Sequence, residues 1–439
     1  MHDIRGVPVS QASAKSLETY ETALSAINRY RGDPVAIIDE ALAEDQDFVM
    51  GHVFRAEAHL TMWERSVLPA IDDSLARLGD LAGRANDRER RHIQAVTRWA
   101  AGDWDGARGE FDRLSALYPR DMLALQVGHL CDFYHGDRDN LRGRIARALP
   151  AWHRDDRGYG FVLGMQAFGL EECADYGAAE ETGRHAIDLE PEDCWAQHAV
   201  AHVLEMQARQ AEGIAFMEGR AEHWSQEDNG FAFHNWWHTA LYYLDQGEPQ
   251  QALAFYDKRI RPEPSEIQLT MVDAVALLWR LHLQDVDVGG RWNELADLYE
   301  NGGEAGYYAF NDMHAALAYA ATGREQALAA LLRAVSATAG ETGSNAAMTR
   351  AVGLPIVQAI AAFGRGRYAE AVDLLMPVRY RAHAFGGSHA QRDILHRTLI
   401  AATLRAGDKA LAQALTAERT AQKPHCPFSW RLRRQAEAA

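Results

Sequence analysis

Apolar residues recur every three to four positions along most of this chain, and strict alternation of apolar and polar residues is nearly absent. That spacing lines up side chains on one face of a helix and not on one face of a strand. Alanine-rich stretches at 317–330 and 357–375 carry the pattern furthest. An all-α chain is the expectation. Prolines fall mostly between the periodic segments, where they end one helix before another begins.

A repeat runs through these helices. Ala107, Phe111 and Pro119 stand at offsets of a small residue, an aromatic and a terminal proline; Ala179, Ala186 and Pro191 match small, small and proline. Trp236, Ala240, Tyr243, Ala252, Tyr256 and Pro264 fit the same scheme together, weaker units surround Ala327 and Ala371, and another lies near Ala412. A helical hairpin of about 34 residues with these marks is the tetratricopeptide unit. Alanine at a crossing lets two backbones approach, and the aromatic fills the next groove. Gly247 and Gly407 supply the stop between helices. The predicted architecture is one continuous α-solenoid of degenerate hairpins, curved so that it can close on a central pocket. Residues 1–90 form an N-terminal helical cap, 91–264 hairpins, 265–310 inserted helices, and 311–439 C-terminal hairpins and a cap. A break at 338–350, rich in Ala, Gly, Ser and Thr, reads as a mobile loop.

Charge narrows the partners. With 45 Lys+Arg against 62 Asp+Glu the net charge is −17, which repels phosphate backbones and anionic lipid. Neither nucleic acid nor a membrane surface is an expected partner. The four cysteines (Cys131, Cys173, Cys194, Cys426) are far apart and lack CxxC spacing, so a reducing cytoplasm is expected. No signal-like N-terminus and no run of about 18 apolar residues is present.

Candidate chemistry sits in a few short motifs. In HAVAH (198–202), His198 and His202 share a helical face with Glu205, a stripe a divalent metal can use. The repeat register instead packs both histidines against the partner helix, as core. HNWWH (234–238) repeats the spacing with His234 and His238; the register turns His234 and Trp237 toward the groove and Trp236 inward. Trp237 is then a ligand platform, or the two tryptophans fill an interhelix gap. HExxH is absent, so a metalloprotease is not indicated. The two pairs make one four-histidine metal site only where their helices converge. Asp273 and Arg280 share a helix face, either as an anion clamp or as an ion pair holding the insertion down. In NDMH (311–314), Asp312 caps a helix or orients His314. GGSHAQRD (386–393) carries a Ser388–Gln391 capping box, with His389 and Arg392 in the first turn beside a helix end able to hold an anion.

Taken together and in this order, HAVAHVLEMQAR, HNWWHTALYYLDQGEPQQALAFYD, DAVALLWRLHL, FNDMHAALAYAATGR and GGSHAQRD, over 198–393, resemble the tetratricopeptide repeat protein 38 family. The resemblance implies an all-α array of degenerate hairpins and assigns no activity, cofactor or metal. The expected function is binding of a small molecule in a His/Trp/Arg-lined pocket, with hydrolysis or group transfer as the reaction if one occurs. His234, His238 and His389 are the acid/base candidates. His198, His202, Trp237, Asp273, Arg280, Asp312, His314 and Arg392 are the ligand contacts. The alternative is a scaffold for peptides or proteins without catalysis, and a homodimer is in keeping with either.

Overall fold

The computed structural model describes residues 1–438. It is helical throughout; among the described residues the only bridges are isolated ones, His2 with Pro8 and Arg31 with Asn229. Successive helices pack on one another as hairpins. The alanines read as crossing points, Ala107, Ala179, Ala186, Ala240, Ala252, Ala371 and Ala412, are each 0% exposed, as close backbone approach demands. Ala327 is half-buried. Gly247 (φ 98°) and Gly407 (φ 76°) take the left-handed conformation after the helices Ala232–Gln246 and His389–Ala406. Asp103, Asp137 and Asp408 start second helices by accepting the amide three residues on, at 3.0–3.1 Å.

Residues 338–350 are not the loop expected. The helix Glu325–Gly340 runs into them, and after 341–343 the chain resumes as Ser344–Met348 and a π turn, Thr349–Gly353. Ala346, Met348 and Thr349 are buried there, and Asn345 donates to the Gly306 carbonyl at 3.0 Å. Small residues in this stretch serve packing. The Ser344–Gly364 stretch is long and apolar enough to cross a membrane, yet 67% of its apolar window is buried inside the protein. Such burial is that of a core helix.

The chain divides into two compact units: Met1–Val200 with His223–Phe231, and Ala201–Glu222 with Ala232–Ala439. The inserted region supplies the helices Gln268–His282 and Arg291–Asn301 to the second.

The first unit buries a charged network. His92, 0% exposed, places Nδ1 2.6 Å from Glu57 and Nε2 2.9 Å from Asp121. Arg88 binds the same aspartate through Nε at 2.5 Å and Nη2 at 3.0 Å, and its Nη2 reaches the Tyr20 hydroxyl at 3.5 Å. Burial alone would lower the His92 pKa; Glu57 and then Asp121 outweigh it and raise it to about 9. A histidine raised in the folded state stabilises fully below its unfolded value of about 6.5, and that stabilisation disappears as pH climbs through the folded value. Unfolding free energies from urea titrations are therefore expected to fall between roughly pH 6.5 and pH 9, by on the order of 3 kcal/mol for this group. The His92→Gln variant, less stable throughout, should show a flatter profile; an unchanged slope would refute the assignment.

Candidate functional site

Four second-unit helices bring the motifs together: Ala232–Gln246, Gln268–His282, Ala309–Thr322 and His389–Ala406. The helix Cys194–Met206 adds His202 and Glu205. Most of these are covered on all sides. Thus Trp237 is 0% and Trp236 7% exposed, and the inward–outward distinction expected of that pair does not hold. A helix buried all round must pair its polar groups inside the protein.

Three imidazoles gather there. His238 Nε2 lies 3.3 Å from His234 Nε2, and the His202 ring centroid is 4.4 Å from that of His238. One nitrogen of each falls within 4.8 Å of the others. The opposite ring edges face carboxylates. His234 Nδ1 is 2.6 Å from Asp273 Oδ2, and His238 Nδ1 is 3.5 Å from Glu205 Oε2. Lys423 Nζ, itself buried, donates to the other Glu205 oxygen at 3.4 Å. Burial, followed by the neighbouring His202, pushes His238 down to about 3. Burial would raise the Glu205 carboxyl, but Lys423 and His238 hold it well below the usual carboxylate range. His198 stands one turn before His202 on the same helix; in the first unit its ring lies 5.2 Å from Phe168, 5.0 Å from Trp195 and 5.2 Å from Phe231.

Trp237 stacks on His234 with centroids 5.4 Å apart and an interplanar angle of 14°. The Arg280 guanidinium carbon sits 5.2 Å from the Trp237 ring centroid. Arg280 forms no ion pair with Asp273. It donates instead to the carbonyls of Ala276 at 2.9 Å and Ala390 at 2.7 Å. Burial, then the charge of Arg397, lowers its pKa to about 10. His314 donates Nδ1–H to the Phe310 carbonyl at 2.9 Å, and burial, with a smaller push from Arg280, lowers its pKa to about 3. Asp312 accepts the Gly306 amide at 2.8 Å and so ties down the approach to its helix. Among the buried atoms of this interior without a hydrogen-bond partner among the described residues are four that lie close to Trp237 and Asp273 in the fold: Trp237 Nε1, Asp273 Oδ1, Arg280 Nε and His314 Nε2.

The GGSHAQRD segment folds as a capped helix start. Ser388 Oγ accepts the Gln391 amide at 3.2 Å and Gln391 Oε1 accepts the Ser388 amide at 2.9 Å. His389 and Arg392 are half-buried in the first turn, and Arg392 donates to the Gly387 carbonyl. His389 is not in the histidine group. Asp393 pairs with Arg397 at 2.6 Å and with Arg419 at 3.0 Å, and Arg397 reaches Asp245 at 2.7 Å. Lys423, Asp245 and Arg419 were not singled out from the sequence, since single charges without a motif look like solvated surface until folding buries them.

No family model matches the chain. Solved structures resemble it in outline. The human IFIT1 dimer with m7Gppp-AAAA aligns with a TM-score of 0.44 and 13% identity, covering 98% of this chain and 95% of that one. The APC/C hetero-tetramer Cut9-Hcn1 gives 0.42 and 12%, covering 99% and 78%. The TPR domain of P58(IPK) gives 0.22 and 15%, covering 90% and 98%. No ligand or partner passes from those proteins to this one.

Proposed function

We propose that this is a TPR-like protein whose second unit binds a small anionic or amide-bearing molecule. The carrying observation is the set of four buried polar atoms just described, because buried polar groups in native proteins are almost always hydrogen-bonded. Their residues are linked through neighbouring side chains: Asp273 touches His234, His234 stacks on Trp237, Arg280 lies over Trp237, and Arg280 acts electrostatically on His314. Arg280 Nε–H and Trp237 Nε1–H offer two donors to an acceptor edge such as a carboxylate or carbonyl. Asp273 Oδ1 and His314 Nε2 offer acceptors to an amide or hydroxyl. His234, oriented by Asp273, is the acid/base candidate for hydrolysis or group transfer on that molecule. Full burial means that entry requires local opening of the helices. It also favours a small molecule over a peptide, which needs an exposed groove. In this reading the protein acts in the cytoplasm, without nucleic acid, alone or as a homodimer.

Thermal-shift screening of the full chain against small carboxylates and amides tests the proposal. A ligand should raise the melting temperature of wild type, and Arg280→Met should weaken its binding at least about tenfold through loss of charge-assisted hydrogen bonds. If no compound of either class binds, or if binding survives both Arg280→Met and His314→Phe, the reading is wrong.

A further inference from the structure

We infer that His202, His234 and His238 form a binding site for a divalent transition metal of the zinc class in the interior of the second unit. The geometry rests on atoms other than the four that carry the ligand proposal; the two readings share the Asp273 carboxylate and His234, whose ring cannot act as acid or base while its Nε2 holds a metal.

Two features single out this arrangement. The first is a distance. Two nitrogens bound tetrahedrally to zinc at about 2.0–2.1 Å stand about 3.3–3.4 Å apart, and His234 Nε2 and His238 Nε2 are separated by 3.3 Å. The same separation also fits an N–H···N hydrogen bond between the two rings, so the outer ring edges decide.

The second is the outer edge of each ring. A ligating histidine commonly donates its other N–H to a carboxylate, which fixes the tautomer and makes the ligating nitrogen more basic. Asp273 stands in that place for His234 at 2.6 Å, and Glu205 Oε2 approaches His238 Nδ1 at 3.5 Å, longer than a hydrogen bond but within reach of one on closing. In the tautomer with each Nδ1–H toward its carboxylate, the two Nε2 lone pairs would face one another at 3.3 Å, the arrangement that a cation bridges. The third imidazole, His202, comes from the helix that also carries Glu205, three residues on.

An all-imidazole set suits zinc, copper, nickel or cobalt rather than magnesium or calcium, which take oxygen ligands. His202, His234 and His238 are 0%, 4% and 0% exposed, so the metal is enclosed. It would join the helices Cys194–Met206 and Ala232–Gln246, and through Asp273 also Gln268–His282.

The test uses untagged full-length protein, stripped with a chelator, incubated with zinc or cobalt(II) chloride and desalted. Wild type should retain about one equivalent by elemental analysis, and the cobalt form should show the strong visible bands of tetrahedral coordination. His202→Gln and His238→Gln should each lose retention. Asp273→Asn, which keeps every ligand, should weaken affinity by about 10- to 100-fold. The His185→Gln control, at an exposed position of the first unit, should behave as wild type, and circular dichroism verifies that each variant is folded. Absence of retained metal in wild type overturns the inference, as does equal retention in folded His238→Gln. Because ligand binding is scored separately with Arg280→Met, failure of one proposal is distinguishable from failure of the other.

Discussion

Trp237→Ala is expected to cost about 3–5 kcal/mol, the usual range for removing a large aromatic from a packed core. The ring is 0% exposed and bound on several sides: flat against His234 at 5.4 Å, edge-on to His238 at 4.9 Å, and beneath Arg280 at 5.2 Å. Alanine would open a cavity and also take the aromatic face from a guanidinium that burial already disfavours. Trp237→Phe retains a face for both neighbours and should cost clearly less. Urea denaturation followed by circular dichroism reads the difference. Near-equal losses for the two variants would mean that the stacking contributes nothing beyond volume.

Asp121→Ala, in the first unit, should be comparably damaging, again about 3–5 kcal/mol, because it leaves a buried cation without its counter-charge. Asp121 accepts from Arg88 and from His92, and also from the Ala124 amide at 3.3 Å as N-cap of the helix Met122–Tyr134. Arg88 is 1% exposed and would be left with the Pro8 carbonyl at 3.2 Å and the Tyr20 hydroxyl. Asp121→Asn retains size and cap but not charge, so its loss should be intermediate. It should also move the high-pH fall in stability downward, since one of the two carboxylates that raise His92 would be gone. A variant as stable as wild type at pH 6 would contradict the account.

The hairpin fold is legible in the sequence because crossing points require small residues and turns require glycine, as Ala240 and Gly247 illustrate. The same rules say little about helices covered on every side. There the apolar stripe that distinguishes inside from outside disappears, which is why the inward–outward distinction the register draws between Trp236 and Trp237 does not hold. Histidines four apart and Glu205 beyond them follow from helical geometry alone. Their partners do not: Asp273 meets His234 across 39 positions, and Lys423 reaches Glu205 across 218. Such pairings are fixed by how helices stack. The Asp273–Arg280 spacing was legible too, yet each side chain found a better partner elsewhere, a histidine for one and helix carbonyls for the other.

The first unit takes back residues 223–231 after the chain has already entered the second. In that return segment Gly230 donates its amide to the Tyr30 carbonyl at 2.8 Å, Gly32 donates to Asp228 at 2.9 Å, and Phe231 lies 4.9 Å from the Tyr30 ring. Truncation at Val200 would strip all three from the fragment it leaves behind. Neither half can be expressed intact by a single cut of the gene; a dissection must graft the nine returning positions back on.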